Sequence, residues 1–245
     1  MTLAVTVLGC AGMFATAERA CSGYLLEIDD RRLWLDAGAG TWQRLLRHMH
    51  YRDLGGVMLT HRHPDHTSDL FMALHARDFG ASQPLPRIPL WAPQETLDAL
   101  CSFEPSLGDA FELRALAAGD SISIFGARFS FVAMSHPPQT VGVRMEHGGR
   151  VLAYSADTGP GADFDRLAAQ ADLFLCEATL EGDREWEGHL NAAQAKAVAE
   201  RVGVHRLMLT HLPPEREPSA TLSEVGLVAG GLEVELASED RRVEV

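Results

Sequence analysis

Thr60-His61-Arg62-His63-Pro64-Asp65-His66 follows the apolar run Val57-Met58-Leu59 and carries three imidazoles and one carboxylate in seven residues. Imidazole nitrogen and carboxylate oxygen are ligands that zinc, manganese and iron accept, and a turn just after a strand aims several of them at one point. A single histidine in such a place is usually an ordinary polar loop residue. Ionisable groups gathered this densely mark a site of chemistry far more often than a solvated loop, so the stretch is read as the core of a metal site.

On its N-terminal side, Leu3, Val5 and Val7 alternate with smaller or polar residues, and the runs Tyr24 to Ile28 and Leu33 to Leu35 follow turn signals at Ser22-Gly23 and Asp29-Asp30. These runs predict an opening antiparallel meander of three strands. Leu8-Gly9-Cys10 superficially matches a lipoprotein cleavage site, but without a basic leader or a long apolar segment it reads as the end of the first strand. Asp36-Ala37-Gly38-Ala39-Gly40 is a flexible turn. Thr41 is expected to cap a helix running to about Tyr51, with Trp42, Leu45, Leu46 and Met49 on its apolar side. Asp36 either hydrogen-bonds to the nearby site or only forms the turn.

On its C-terminal side a helix is expected from Asp69 to Phe79, then a four-proline loop from Ser82 to Pro93 around one short edge strand, Ile88 to Trp91. That loop and Trp91 either shape the pocket or merely connect. A helix from Gln94 to Leu100 is started by Pro93. Two hairpins come next, one about Gly126 leading to His136, the other through His147-Gly148-Gly149-Arg150 delivering Asp157. A helix from Asp163 to Ala171, a strand from Leu173 to Glu177 and an Ala-rich helix from the N-cap Asn191 to a stop at Gly203 complete the order. Arg206-Leu207-Met208-Leu209-Thr210-His211 then repeats Gly56-Val57-Met58-Leu59-Thr60-His61. The echo predicts one domain over 1–245 made of two α/β halves, each sending a strand ending in Thr-His to a shared edge. The tail from Leu232 to Val245 is expected to close the second sheet as a hairpin at Glu239-Asp240.

With 46% hydrophobic and 22% charged residues in 245, the chain has the composition of a soluble globular protein. No apolar run approaches the roughly eighteen residues of a membrane span. Cys10, Cys21, Cys101 and Cys176 lie far apart without paired spacing, so a reduced, cytoplasmic state is expected. The formal charge of −13 disfavours large nucleic acids, whose affinity comes from Lys and Arg on phosphates.

His61, His63, Asp65, His66, His136, Asp157 and His211 all stand at or just beyond predicted strand ends. Seven ligands exceed one tetrahedral shell but suit two ions about 3.5–4 Å apart that share a carboxylate. A binuclear metal-dependent hydrolase is the reading that follows.

The signature His-X-His-X-Asp-His at His61 to His66 resembles that of the metallo-β-lactamase-fold hydrolases. The resemblance implies an αββα sandwich, two mixed β-sheets flanked by helices. It implies one metal on His61, His63 and His136, the other on Asp65, His66 and His211, and Asp157 bridging. Cys176-Glu177-Ala178-Thr179 and His189-Leu190-Asn191 resemble segments of the ribonuclease Z branch, which implies that Glu177 orients His189 as proton donor. Cys176 stands where that branch has histidine. There is no room between His136 and His189 for the branch's tRNA-gripping arm, so the chain looks most like its small members, among them an atypical bacterial cyclic-nucleotide phosphodiesterase. Their Ser-Gly-Tyr-Leu-Leu and Thr-His-X-Pro-Pro segments recur at Ser22 to Leu26 and Thr210 to Pro214.

The expectation is therefore a phosphodiesterase on a small phosphodiester such as a cyclic nucleotide, using a metal-bridging hydroxide that Asp65 orients, with zinc, manganese or iron as the two divalent ions. A tRNA 3′-end nuclease is the nearest alternative, a thioesterase or lactonase the next, and a non-catalytic sensor the third. Arg144 either assists the phosphate or faces water from its strand, Thr60 and Thr210 support strands or ligands, and the family implies a homodimer.

Overall fold

The computed structural model describes every residue except 81, 84, 227, 229 and 230, so Pro84 of the expected loop lies outside the described residues. Among the described residues two seven-stranded sheets face each other. The first contains β1 (Leu3–Gly9), β2 (Gly23–Ile28), β3 (Arg31–Ala37), β4 (Gly56–Met58), β5 (Ile88–Pro93) and β6 (Phe111–Leu116). The second contains β7 (Ser121–Ile124), β8 (Ala127–Ala133), β9 (Val141–His147), β10 (Arg150–Tyr154), β11 (Leu173–Glu177), β12 (Arg206–Thr210) and β13 (Glu233–Leu236). A last strand, β14 (Arg242–Glu244), returns to the first sheet beside β1. Each sheet runs from an antiparallel meander into parallel strands, so both are mixed.

Period-two alternation explains the layers. On β3, Leu33 and Leu35 point between the sheets and Trp34 points out; on β11, Leu175 points in while Phe174 and Cys176 point out. The inter-sheet core joins Val5, Leu26, Met58, Phe129, Met145, Tyr154 and Met208. The outer face of the first sheet is covered by α1 (Thr41–His48), α3 (Leu70–Phe79), α4 (Gln94–Phe103) and α5 (Leu107–Ala110), α2 (Pro64–Thr67) lying within the histidine stretch. The outer face of the second is covered by α6 (Phe164–Ala168) and α7 (Ala192–Arg201), with α8 (Pro218–Val225) against α7. Because both faces of both sheets are covered, the parallel strands read as nearly unbroken apolar runs. This is the αββα sandwich.

Five local expectations are corrected. β5 is interior, paired in parallel with β4 and β6; β4 is short and reaches only Leu90 and Trp91, so Pro89 and Pro93 flank that ladder instead of breaking it. Trp91 is buried in the inter-sheet core and does not line the cavity beside the histidine cluster. Thr41 is the first residue of α1 and donates its hydroxyl to Gly38 O at 2.6 Å, while α1 stops at His48, where Met49 turns extended, and is followed by a separate 3₁₀ turn, Tyr51–Asp53. α6 ends at Ala168, short of Ala171. The tail is a crossover: β13 pairs in parallel with β12, the turn at Glu239-Asp240 follows with Asp240 at φ 64, and Asp240 N donates to Val7 O at 2.8 Å on the other sheet.

Candidate metal centre

The expected ligands converge where the strands of both sheets end. His61 follows β4, His136 follows β8, Asp157 follows β10 and His211 follows β12, while α2 opens on Pro64 and carries Asp65 and His66. Proline at the first helical turn loses no hydrogen bond, so the chain can turn sharply there and present His63 and Asp65 on adjoining positions.

Two donor sets result, one of His61, His63, His136 and Asp157, the other of Asp65, His66, Asp157 and His211. In the first, His63 Nδ1 lies 3.2 Å from both His61 Nε2 and His136 Nε2, and Asp157 Oδ2 lies 3.6 and 3.8 Å from those two Nε2 atoms. In the second, Asp157 Oδ1 lies 3.2 Å from His66 Nε2 and 3.3 Å from His211 Nε2, and Asp65 Oδ2 lies 3.2 and 3.8 Å from His211 Nε2 and His66 Nε2. Ligands about 2.0–2.1 Å from a tetrahedral ion stand roughly 3.3–3.4 Å from one another, so these spacings fit. His66 Nε2 and Asp157 Oδ1 are buried and have no hydrogen-bond partner, a costly arrangement that a cation between them relieves. The two oxygens of Asp157 serve one set each.

The rear nitrogen of each imidazole that offers Nε2 is held. His66 Nδ1 donates to Asp36 Oδ2 at 2.8 Å, His136 Nδ1 to Gly188 O at 2.8 Å, His61 Nδ1 meets Thr60 Oγ1 at 3.1 Å and His211 Nδ1 meets Thr179 Oγ1 at 2.7 Å. Such contacts fix the tautomer that leaves Nε2 free for a metal. Asp36 is thus a supporting residue: it also accepts from Thr60 N at 2.8 Å, Thr60 Oγ1 at 2.9 Å and Tyr154 OH at 3.0 Å. Thr210 pairs with Tyr24 OH at 2.5 Å and supports its strand.

Burial, joined by the neighbouring His66 charge, drives the His61 imidazole well below its ordinary pKa; burial and the mutual proximity of His63 and His136 lower His63, and burial lowers His136. Burial opposes charge on His66 and His211 too, but Asp157 overrides it and raises both, aided by Asp36 at His66 and Asp65 at His211. Asp157 and Asp65 are held below the carboxylate range despite burial, Asp157 chiefly by His211 and His66, and Asp65 by its hydrogen bond from His211. The lowered groups are thus in the form a metal takes, Asp65 and Asp157 as carboxylates and His61, His63 and His136 as neutral imidazoles, whereas His66 and His211 would give up a proton on binding.

Glu177 ends β11 fully buried, and His189 Nδ1 donates to its Oε1 at 2.7 Å. The carboxylate also accepts from Thr158 N at 2.5 Å, Leu190 N at 3.2 Å and Thr179 Oγ1 at 2.7 Å, so its lone pairs are committed to hydrogen bonds and it acts as an acceptor, not as a further metal ligand. The Thr179 proton goes to Glu177, which leaves that hydroxyl to accept from His211. Cys176 points into the core behind β11, with burial raising its thiol pKa, so its replacement of histidine leaves the Glu177–His189 contact intact.

The donor residues other than the fully buried His61 and His66 line one cavity of about 530 Å³ with Thr179 and His189, together with Met13, Leu180, Glu181, Arg184, Trp186 and Pro213. Arg144 is elsewhere. Its guanidinium donates to Glu146 Oε1 at 2.9 Å, Ala169 O at 3.0 Å and Leu167 O at 3.2 Å, so it binds the end of α6 and does not line the donor cavity. Sequence reading missed Met13, whose backbone N donates to Asp65 Oδ2 at 2.8 Å, and the rim residues Arg184 and Trp186, none of which has a motif or period to mark it. A larger hollow of about 960 Å³ lies at the opposite ends of the strands, near Arg150, His205 and Arg206, where no candidate donor set converges among the described residues.

A metal-binding His/Asp centre at the joint edge of an αββα sandwich defines a metallo-hydrolase of the metallo-β-lactamase fold. The chain belongs to this family: the Beta-lactamase superfamily domain matches residues 31–212. It is 32% identical to an uncharacterised protein of Mycobacterium leprae, over 91% of this chain and 82% of that one. It is similar to YhfI of Bacillus subtilis, named as a metallo-hydrolase, at 30% identity over 85% of this chain and 86% of that one. The YhfI crystal structure superposes over 100% of both chains with a TM-score of 0.92 and 25% identity. Ribonuclease Z of Thermobifida fusca is 29% identical over 305 aligned positions, which span 100% of this chain and 95% of that one. No helix among the described residues is long and apolar enough to cross a membrane.

Proposed function

We propose that the protein is a phosphodiesterase acting on a small phosphodiester, such as a cyclic nucleotide, with two divalent ions held by the two donor sets. Zinc suits four-coordinate nitrogen and oxygen donors, and manganese or iron would also be accepted. The observation that carries this reading is the 2.7 Å contact between His189 Nδ1 and buried Glu177, beside the donors in the same cavity. A thioester's thiolate leaves without such a pair, whereas the departing oxygen of a diester needs a proton.

Ions bound in the two sets supply Lewis acidity and water made acidic enough to react near neutral pH. The chain's own residues do the rest. Asp65, fixed by Met13 N, orients the attacking water; Glu177 holds His189 with Nδ1 protonated and stabilises the imidazolium, so that Nε2 delivers a proton to the leaving oxygen. Apolar rim residues such as Leu180 and Met13 exclude bulk water, which strengthens these interactions.

The ribonuclease Z relative favours a tRNA nuclease as second reading, but two observations oppose it. The stretch from His136 to His189 is filled by β9, β10, α6, β11 and a loop with the exposed acids Glu181, Asp183, Glu185 and Glu187, which repel a polyanion. The deciding experiment is His189→Ala with metal content measured alongside turnover of bis-p-nitrophenyl phosphate, cyclic AMP and precursor tRNA. Retained metal with a loss of about 10²-fold or more on the small diesters supports the reading. Undiminished turnover, or cleavage confined to precursor tRNA, overturns it.

A further inference from the structure

Trp186 lines the cavity that holds the donor atoms, yet it is 50% exposed. An indole left half in water has no packing reason to hold one position, but the chain around this one is pinned. Ser135 Oγ donates to Glu187 O at 3.0 Å and His136 Nδ1 to Gly188 O at 2.8 Å. A Cβ on Gly159 would fall 1.8 Å from Glu187 O, so only glycine there admits the loop. A Cβ on Gly188 would fall 2.7–3.0 Å from the six-membered ring of Trp186, so the indole lies directly against the bare backbone. The ring centroid stands 5.0 Å from that of His189 at 51° and 6.1 Å from that of His136 at 81°. A rigid aromatic face is thus presented beside the proton donor, and its position is fixed by the same carbonyl that orients the ligand His136.

The surrounding charge selects what that face meets. Four acids, Glu181, Asp183, Glu185 and Glu187, are exposed in the same loop, and Arg184 is the only Lys or Arg among the described residues lining the cavity. A second phosphate is disfavoured on this side, whereas a flat uncharged ring is accepted. A cavity of about 530 Å³ falls within the range that encloses a small organic ligand.

We propose that Trp186 is the stacking platform for the planar base of the substrate, so that the enzyme takes phosphodiesters carrying one phosphate and one nucleobase. This rests on the phosphodiesterase reading and deepens it. Stacking of a base on an aromatic side chain is sequence-tolerant, because every base has a π-face, so Trp186 selects for the presence of a base over its identity.

The test is calorimetric binding of AMP and of ribose 5-phosphate to the zinc-loaded full chain, with indole fluorescence recorded in parallel. AMP is expected to bind about tenfold or more tighter than ribose 5-phosphate and to quench fluorescence. Trp186→Ala is expected to abolish the preference and raise KM for cyclic AMP with little change in kcat, and Trp186→Phe to restore most of it. Equal affinities in the unaltered protein, or a preference that survives in Trp186→Ala, overturn the proposal. A preference for AMP in a protein that hydrolyses no phosphodiester would sink the phosphodiesterase reading and leave the base platform standing; hydrolysis without the preference would do the reverse.

Discussion

The two donor sets are built from the same turn but differ in charge. One takes His61 and His63 and adds His136; the other takes Asp65 and His66 and adds His211; Asp157 is common to both. The first therefore has one shared carboxylate, the second a carboxylate of its own as well and Asp36 behind His66. Accordingly, the imidazoles of the first are lowered by burial, while in the second Asp157 overcomes burial and raises them. One additional buried negative charge strengthens the hold on a dication, so the second set is expected to be the tighter site and the first the exchangeable one.

Asp157→Asn breaks the comparison altogether, because it removes a donor from both sets. Metal content is expected to fall at both, with turnover down on the order of 10³-fold or more, as measured by elemental analysis and by steady-state kinetics. A variant that kept two ions would refute the bridging role.

Single-set variants sharpen it. His63→Ala is expected to retain one ion per chain at micromolar free zinc, and graded chelation of the unaltered protein to release its metal in two steps. His211→Ala, which wounds the tighter set, is expected to lower the thermal midpoint more than His63→Ala does, because a ligand that binds only the folded state at about 1,000 times its Kd adds about 4 kcal/mol. Equal retention and equal midpoints in the two variants would dismiss the asymmetry.

Asp36→Asn probes the same difference more gently. Asp36 Oδ2 accepts from His66 Nδ1 at 2.8 Å and Tyr154 OH at 3.0 Å, so the amide would mis-set the tautomer of His66 directly and reach His61 of the first set only through Thr60. Metal affinity in the second set is expected to fall by about 10–100-fold and that of the first set by less, measured by competition with a chromophoric chelator.

What the sequence made legible follows from how locally each feature is encoded. His61 to His66 fall within one turn, so their spacing alone carries the signal, and His136, Asp157 and His211 each end an apolar or alternating run that marks a strand. Asp36 could be noticed but not assigned, because its partners Thr60, His66 and Tyr154 meet it only after both sheets close. β6 escaped notice because Glu112, Leu113 and Arg114 are all at least partly exposed and break the period of two, and β5 was demoted by its prolines. The destination of β14 depends on which sheet edge is free, which no local pattern states. Trp186 sits among acids with no period at all, and only the packing of its ring on Gly188 and of Gly159 against Glu187 O sets it apart.

The smallest effect on the metal sites belongs to Arg144→Ala. From sequence the residue was a cation of open role on a strand; in the fold it ties β9 to the last turn of α6 through Leu167 O and Ala169 O and pairs with Glu146. Carbonyls at a helix end have no intrahelical partner, and a guanidinium satisfies them. Removing it is expected to cost about 1–2 kcal/mol, a fall of roughly 2–8 °C in midpoint for a chain of this size, readable by calorimetry. Two-step metal release, kcat and KM should all stay as in the unaltered protein. A change in KM for the diester would put a phosphate within reach of Arg144 and return that cation to the site; a change in metal release would couple α6 to the donor sets through β8 and β10, on which it packs.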